Sequence, residues 1–243
     1  MDDNQKMSKG IIYYTDNGLG EPLFSACQKH ILASGLPIVS VSLSPVKFGR
    51  NIVVEGTPGY PTMINQIITA LEASTADYVF FCEHDVLYHK SHFDFLPPGD
   101  NTYHYNINNW RWDYPSNRVI RYDGLTSLSQ LCANRELALK HFKARREKMK
   151  KVGLEKFSMK DPHLARLWGY EPGRKKRRNG AFLEEKCDNW SSKSPNIDIR
   201  HAQSFSIPKV KLKDFHHKPS GWVETSIDKI PGWNLSKLFN INL

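Results

Sequence analysis

Cysteine is scarce in this chain: Cys27, Cys82, Cys132 and Cys187 are the only four in 243 residues, and no two fall at CxxC spacing. That scarcity argues against a zinc knuckle and against a disulfide framework. No apolar run reaches membrane-spanning length, and the polar stretch from Met1 to Gly10 has no hydrophobic signal region. The expectation is a reduced, cytoplasmic, soluble protein. Internal repeats and low-complexity tracts are also missing. Acidic residues are in deficit, with 25 Asp and Glu against 34 Lys and Arg, a net charge of +9 and a pI near 9.3. Such an excess favours polyanionic partners, whether nucleotides, nucleic acid or an acidic membrane surface.

What is present suffices to fold. An apolar content of 40% with 12% aromatics places the chain with globular proteins rather than disordered ones, and its length supports a sizeable core. Gly10 to Asn17 reads as a first strand ending in a polar turn. Glu21 to Ser34 carries apolar residues at helical spacing and closes at Gly35. Pro37 to Leu43 alternates as a second strand, and Asn51 to Glu55 suits a short strand or an extended edge. Thr62 to Ala73 places Met63, Ile64, Ile67, Ile68 and Leu71 on one helical face. This β-α-β, loop, α-β order predicts a mostly parallel α/β sheet with helices on both faces. Further on, Tyr103 to Tyr114 is an aromatic, amide-rich loop. Leu125 to Lys151 is largely helical, Asn196 to His201 a late strand, and the tail with Trp222 and Trp233 a covering segment.

The chain turns on Ala76 to Tyr88. An apolar run suited to a strand buried on both faces ends abruptly in Glu83-His84-Asp85. Open α/β sheets bind ligands beyond the carboxyl ends of their strands. If the strand continues, the two acids face the same side. Oxygen ligands of this kind suit Mg²⁺ or Mn²⁺ and leave positions for phosphate oxygens. The plainer alternative is that the acids cap a strand or pair with nearby Lys or Arg.

Tyr14-Thr15-Asp16-Asn17 after the first strand, the helix feeding the apolar strand, and Glu83-His84-Asp85 at its end together resemble the GT-A-type glycosyltransferases, within them the soluble family-2-like group. The resemblance is carried mostly by the first 90 residues. It implies one GT-A Rossmann-like domain over 1–243, with a nucleotide-sugar half to about residue 95 and an acceptor-side half after it. It implies transfer of a hexosyl unit from a nucleotide-diphosphate sugar, a UDP-sugar first among them. Mn²⁺ or Mg²⁺ would be held at the DxD position by Asp85, with Glu83 as the weaker ligand because Glu-x-Asp departs from Asp-x-Asp. A histidine from the second half would complete the site, with His201 ahead of His216 and His217.

The same resemblance points Thr15, Asp16 and Asn17 at the nucleoside, although these residues also suit an Asx-turn with Gly18. Gln66 and His84 join the donor-contacting set, and for Gln66 the alternative is an exposed polar side chain. Asp161-Pro162 resembles the family's helix start bearing the catalytic base, yet an N-cap explains it equally. Glu171 and Asp123 are further base candidates. Trp110 and Trp112 could stack on an acceptor while Asn106, Asn108 and Asn109 hydrogen-bond it. The basic runs from Lys140 to Lys151 and from Arg174 to Arg178 suggest a phosphate-rich acceptor. A hydroxylated pyrimidine in DNA leads, and a glycan or lipid-linked sugar follows. Two readings from other classes compete: a metal-dependent nuclease or phosphohydrolase, and a non-catalytic nucleic-acid-binding protein.

Overall fold

The computed structural model describes residues 7–154, 157, 171–174, 182, 184–202, 204 and 209–239. The first strand, β1 (Lys9–Thr15), lies at the centre of a sheet and packs on both faces. Helix α1 (Leu23–Leu32) leads to β2 (Ile38–Ser42) and the edge strand β3 (Arg50–Val53). Helix α2 (Tyr60–Ala73) then leads into β4 (Tyr78–Glu83). β1 pairs in parallel with both β2 and β4, and β2 pairs in parallel with β3. Alternation along β1 divides the core. Ile12 and Tyr14 face Ile64, Ile67 and Ile68 of α2, while Ile11 and Tyr13 face Ile31 of α1 and Phe48. Helices therefore cover both sides of a mostly parallel sheet, as the β-α-β order predicted.

The sheet continues beyond β4 through β9 (Leu131–Asn134), β6 (Thr102–Asn106) and β10 (Lys186–Trp190), to give the order β10-β6-β9-β4-β1-β2-β3. β9 alone runs against the rest. A second sheet has the order β12-β8-β7-β11-β5. It comprises β5 (Val86–Leu87), β7 (Asn109–Asp113), β8 (Arg118–Arg121), β11 (Asn196–Arg200) and β12 (Val223–Thr225).

Two expectations from sequence are corrected. Leu125 to Lys151 is not one helix. Leu131 to Ala133 form a buried strand between β4 and β6, and helix α3 (Arg135–Val152) starts only where Asn134 accepts hydrogen bonds from the amides of Glu136 and Leu137. A short apolar run fits a buried strand as well as a helix, and the local cap decides where the helix begins.

Tyr103 to Tyr114 is not a loop either. It forms β6 and β7, and the chain crosses between the sheets at Ile107 and Asn108. Asn106 organises that crossing: its Oδ1 accepts from the amides of Asn108 and Ser192, and its Nδ2 donates to Ser192 Oγ. The acceptor-binding roles expected of Trp110, Trp112 and Asn109 fall with the loop. Trp112 is fully buried against Phe239 and Tyr114, Trp110 joins the same cluster, and Asn109 is fully enclosed. In a sheet with both faces covered, the aromatics of such a stretch go to the core.

Candidate functional site

β1 and β4 end side by side, with Tyr14 opposite Glu83. That register sets Thr15 beside His84, and Thr15 Oγ1 lies 2.7 Å from His84 Nδ1. After Glu83 the chain turns at His84 and Asp85 before entering β5. The strand geometry expected to carry through Asp85 is thus interrupted, and Asp85 is brought in by the second sheet instead. Its carbonyl accepts from the amide of Ile199 at 2.8 Å, extending the antiparallel ladder between β5 and β11. The end of β11 consequently lies alongside the turn, with His201 Nε2 3.5 Å from Asp85 Oδ2.

One ligand atom from each of His84, Asp85 and His201 lies within 4.8 Å of the others. Ligands opposite one another across Mg²⁺, at ~2.1 Å each, stand about 4.2 Å apart, so small side-chain movements would suffice to grip an ion. The donor set of one carboxylate and two imidazoles suits Mn²⁺ better than Mg²⁺, which prefers oxygen ligands. Thr15 supplies the outer partner such a site requires. With Nδ1–H of His84 donating to Thr15 Oγ1, Nε2 keeps its lone pair for a metal.

Glu83 lies beside this cluster, not within it. Tyr14 donates to its Oε1 at 2.6 Å. Burial, reinforced by the charge of Asp85, pushes its carboxyl up to about 8 despite that bond. For Asp85 burial acts in the same direction, but the facing His201 and the charges of His84 and Arg200 outweigh it and hold the carboxyl below its ordinary value. The two acids are therefore divided, with Asp85 ionised and Glu83 holding a proton near neutrality.

His84 and Asp85 of this cluster line a cavity of about 220 Å³ together with Thr15, Asp16, Gln66, Arg111, Asp198 and Arg200, among others. Gln66 is buried, not exposed, and its Nε2 donates to the carbonyl of Thr15 at 2.7 Å, tying α2 to the end of β1. Asp16 lines the cavity and also closes an Asx-turn, accepting from the amide of Gly18 at 2.8 Å. Asn17 has a left-handed backbone, φ 63°. Its side chain spans to the end of β2, accepting from the amides of Leu43 and Ser44 and donating to the Ser44 carbonyl. It braces the rim of the site. Glu171 lines the cavity. Asp161 lies outside the described residues, as does most of the basic run after Arg174. His216 and His217 are exposed, and Asp123 is an exposed residue bonded to Ser220.

Sequence reading missed Asp198, Arg200 and Arg111. Arg200 Nη1 lies 3.1 Å from Asp198 Oδ1, and Arg111 Nε lies 3.6 Å from Asp198 Oδ2. A signal existed. β11 alternates Asn196, Asp198, Arg200 with Ile197, Ile199, and every residue of it is buried. A buried strand with one wholly polar face must direct that face at bound groups or partners of its own.

No protein-family model and no curated protein matches the sequence. Among solved structures the chain is similar to a CMP:2-keto-3-deoxy-manno-octonic acid synthetase complexed with CTP (TM-score 0.42, 9% identity, 79% of this chain and 93% of that one). It is similar to a nucleotidyl transferase from Methanothermobacter thermautotroptrophicus (TM-score 0.37, 10% identity, 57% and 76%). It is also similar to the glycosyltransferase GlyE of Streptococcus pneumoniae (TM-score 0.40, 11% identity, 76% and 45%), so it spans less than half of that protein. Among the described residues, no helix is long and apolar enough to cross a membrane.

Proposed function

We propose that this chain is a divalent-metal-dependent glycosyltransferase that takes a sugar from a nucleotide-diphosphate sugar, a UDP-sugar first among the candidates. The observation that supports it most is the convergence of His84, Asp85 and His201 at the carboxyl end of a parallel sheet, where α/β folds bind nucleotides. Mn²⁺ or Mg²⁺ held there would stabilise the charge developing on a departing nucleoside diphosphate. Asp16 and the carbonyl side of Thr15 stand where a base or ribose would lie, with Gln66 fixing the position of that backbone. Arg111 and Arg200, both beside Asp198, bring guanidinium groups to the cavity that would contact the phosphates of such a donor.

For the acceptor hydroxyl, Glu171, which lines the cavity, is the carboxylate proposed to take the proton, with Asp161 as its rival. The acceptor proposed is a hydroxylated base in DNA, on the strength of the chain's excess of basic residues. A nuclease reading is less well supported, because two-metal hydrolysis needs several carboxylates around the ions and Asp85 is the one carboxylate in the cluster among the described residues.

The test is incubation with a panel of nucleotide sugars, with and without Mn²⁺, following release of nucleoside diphosphate and of pyrophosphate. Metal-dependent release of nucleoside diphosphate is expected. Pyrophosphate release would signify nucleotidyl transfer instead, and inertness toward every donor combined with DNA cleavage would sink the transferase reading.

A further inference from the structure

Arg111 connects the cavity to a group of rings that none of the roles above uses. Its guanidinium lies in the cavity wall, and its Nη1 donates to Tyr122 Oη at 3.0 Å. Tyr122 follows β8, and Trp222 precedes β12. The register Val223 to Arg121, continued by one residue, sets Trp222 directly opposite Tyr122, the arrangement in which cross-strand aromatics pair. Their rings are nearly parallel, 12° apart, with centroids 6.1 Å apart. At that separation the two rings are not in close face-to-face contact, and the Arg111 guanidinium lies 5.7 Å from the Tyr122 centroid. Phe215 meets both edge-on, at 5.3 and 5.5 Å.

The pair is held rigidly. The amide of Asp123 donates to the carbonyl of Ser220, and Ser220 Oγ donates to Asp123 Oδ2. Gly221, at φ 63°, packs so closely on Asp123 that a Cβ would collide with its carboxylate. Yet the three rings are only half-buried and belong to none of the apolar clusters that form the core. Lys209 Nζ lies 5.5 Å from the Phe215 centroid, and exposed Lys211, Lys213 and Lys218 stand within four residues of Phe215 in the chain.

We infer that Tyr122 and Trp222, backed by Phe215, form a stacking platform for an unpaired base of a nucleic-acid strand, with the surrounding lysines holding its phosphates. Aromatic rings at the surface beside cationic side chains are the features that bind single strands. A neutral glycan would stack on the rings but gain nothing from the lysines. This rests on the proposed transferase reading only in calling the strand an acceptor, since Arg111 leads from the platform to the cavity.

The test is fluorescence anisotropy of a short labelled single-stranded oligonucleotide with the full chain, without metal or donor, over a range of salt. Trp222→Ala should weaken binding roughly tenfold, and Trp222→Phe should restore most of it. Lys211→Gln with Lys213→Gln should lower the slope of log affinity against log salt by about 1.4, a measurement that stands even if Trp222→Ala fails to fold. Equal binding by the Trp222→Phe, lysine and parent proteins alongside a loss only in an unfolded Trp222→Ala would overturn the platform. So would competition by a neutral oligosaccharide as effective as by the strand itself. Failure to bind the strand while Mn²⁺ and donor bind normally overturns this inference alone. Strand binding without Mn²⁺ or donor binding overturns the transferase reading and leaves the platform.

Discussion

The amide of Ile199 donates to the carbonyl of Asp85 at 2.8 Å, and this backbone bond joins the two halves of the site. It continues the β5–β11 register to the turn after β4. Asp198, Arg200 and His201 are thereby carried to the acid that ends the first half. A slip of one residue would exchange every β11 side chain for its neighbour on the opposite face. The site is accordingly a product of strand pairing between distant segments.

Asp85→Asn keeps the side-chain shape and removes the ionised carboxylate of the proposed metal site. Changes to outer partners of a metal site typically cost about 10–100-fold in affinity, so the loss of Asp85 should exceed that for Mn²⁺, measured by titration calorimetry. Folding should be preserved, as read by circular dichroism. Unchanged Mn²⁺ affinity in the variant would remove the basis of the metal site.

Trp112 distinguishes a core role from an acceptor role. Trp112→Ala should destabilise the protein by about 3–5 kcal/mol in urea denaturation, the range for large aromatic-to-alanine changes in a core. A variant of undiminished stability that failed only with acceptor would contradict the burial described above.

Asn17 holds the rim of the cavity through three hydrogen bonds to the end of β2. Asn17→Ala loses them and places a less suited residue in the left-handed region, so a cost of about 2 kcal/mol is expected. Asn17→Gly restores the backbone freedom and should recover part of it. Equal stability of the alanine and glycine variants would show that the backbone conformation contributes nothing.

His92 provides a pH test remote from the cluster of His84, Asp85 and His201. Its ring is buried among Phe80, Tyr88, Phe93 and Trp190, and its Nδ1 accepts from Asn106 Nδ2. Burial pulls its pKa down to about 3. Between that value and the ordinary value of about 6.5, the unfolded chain binds the proton and the folded one does not. Its contribution to stability is therefore complete above pH 6.5 and is lost as pH falls toward 3, at ~1.4 kcal/mol per unit. His92→Gln should lower stability at pH 7 through poorer packing but flatten the decline under acid. Urea midpoints at pH 7.5 and 4.5 measure this, and parallel declines for the two proteins would refute it.

Local pattern alone determined the first half of the fold. Helical spacing in α2, alternation in β1 and β2 and the apolar run of β4 each have one satisfactory burial solution, and together they specify a parallel sheet covered on both faces. The place where Glu83, His84 and Asp85 emerge was legible for the same reason, since unpaired charge is costly within a strand buried on both sides. Tertiary structure decided the rest. Whether Leu131 to Ala133 became strand or helix depended on the gap between β4 and β6. Whether Trp110 and Trp112 faced solvent or core depended on a second sheet assembled from segments far apart in sequence. Glu83 and Asp85 are chemically alike and one residue apart. Burial and a proton separate one from the other only after His201, His84 and Arg200 have gathered around Asp85, and those positions follow from strand register, which no local pattern contains.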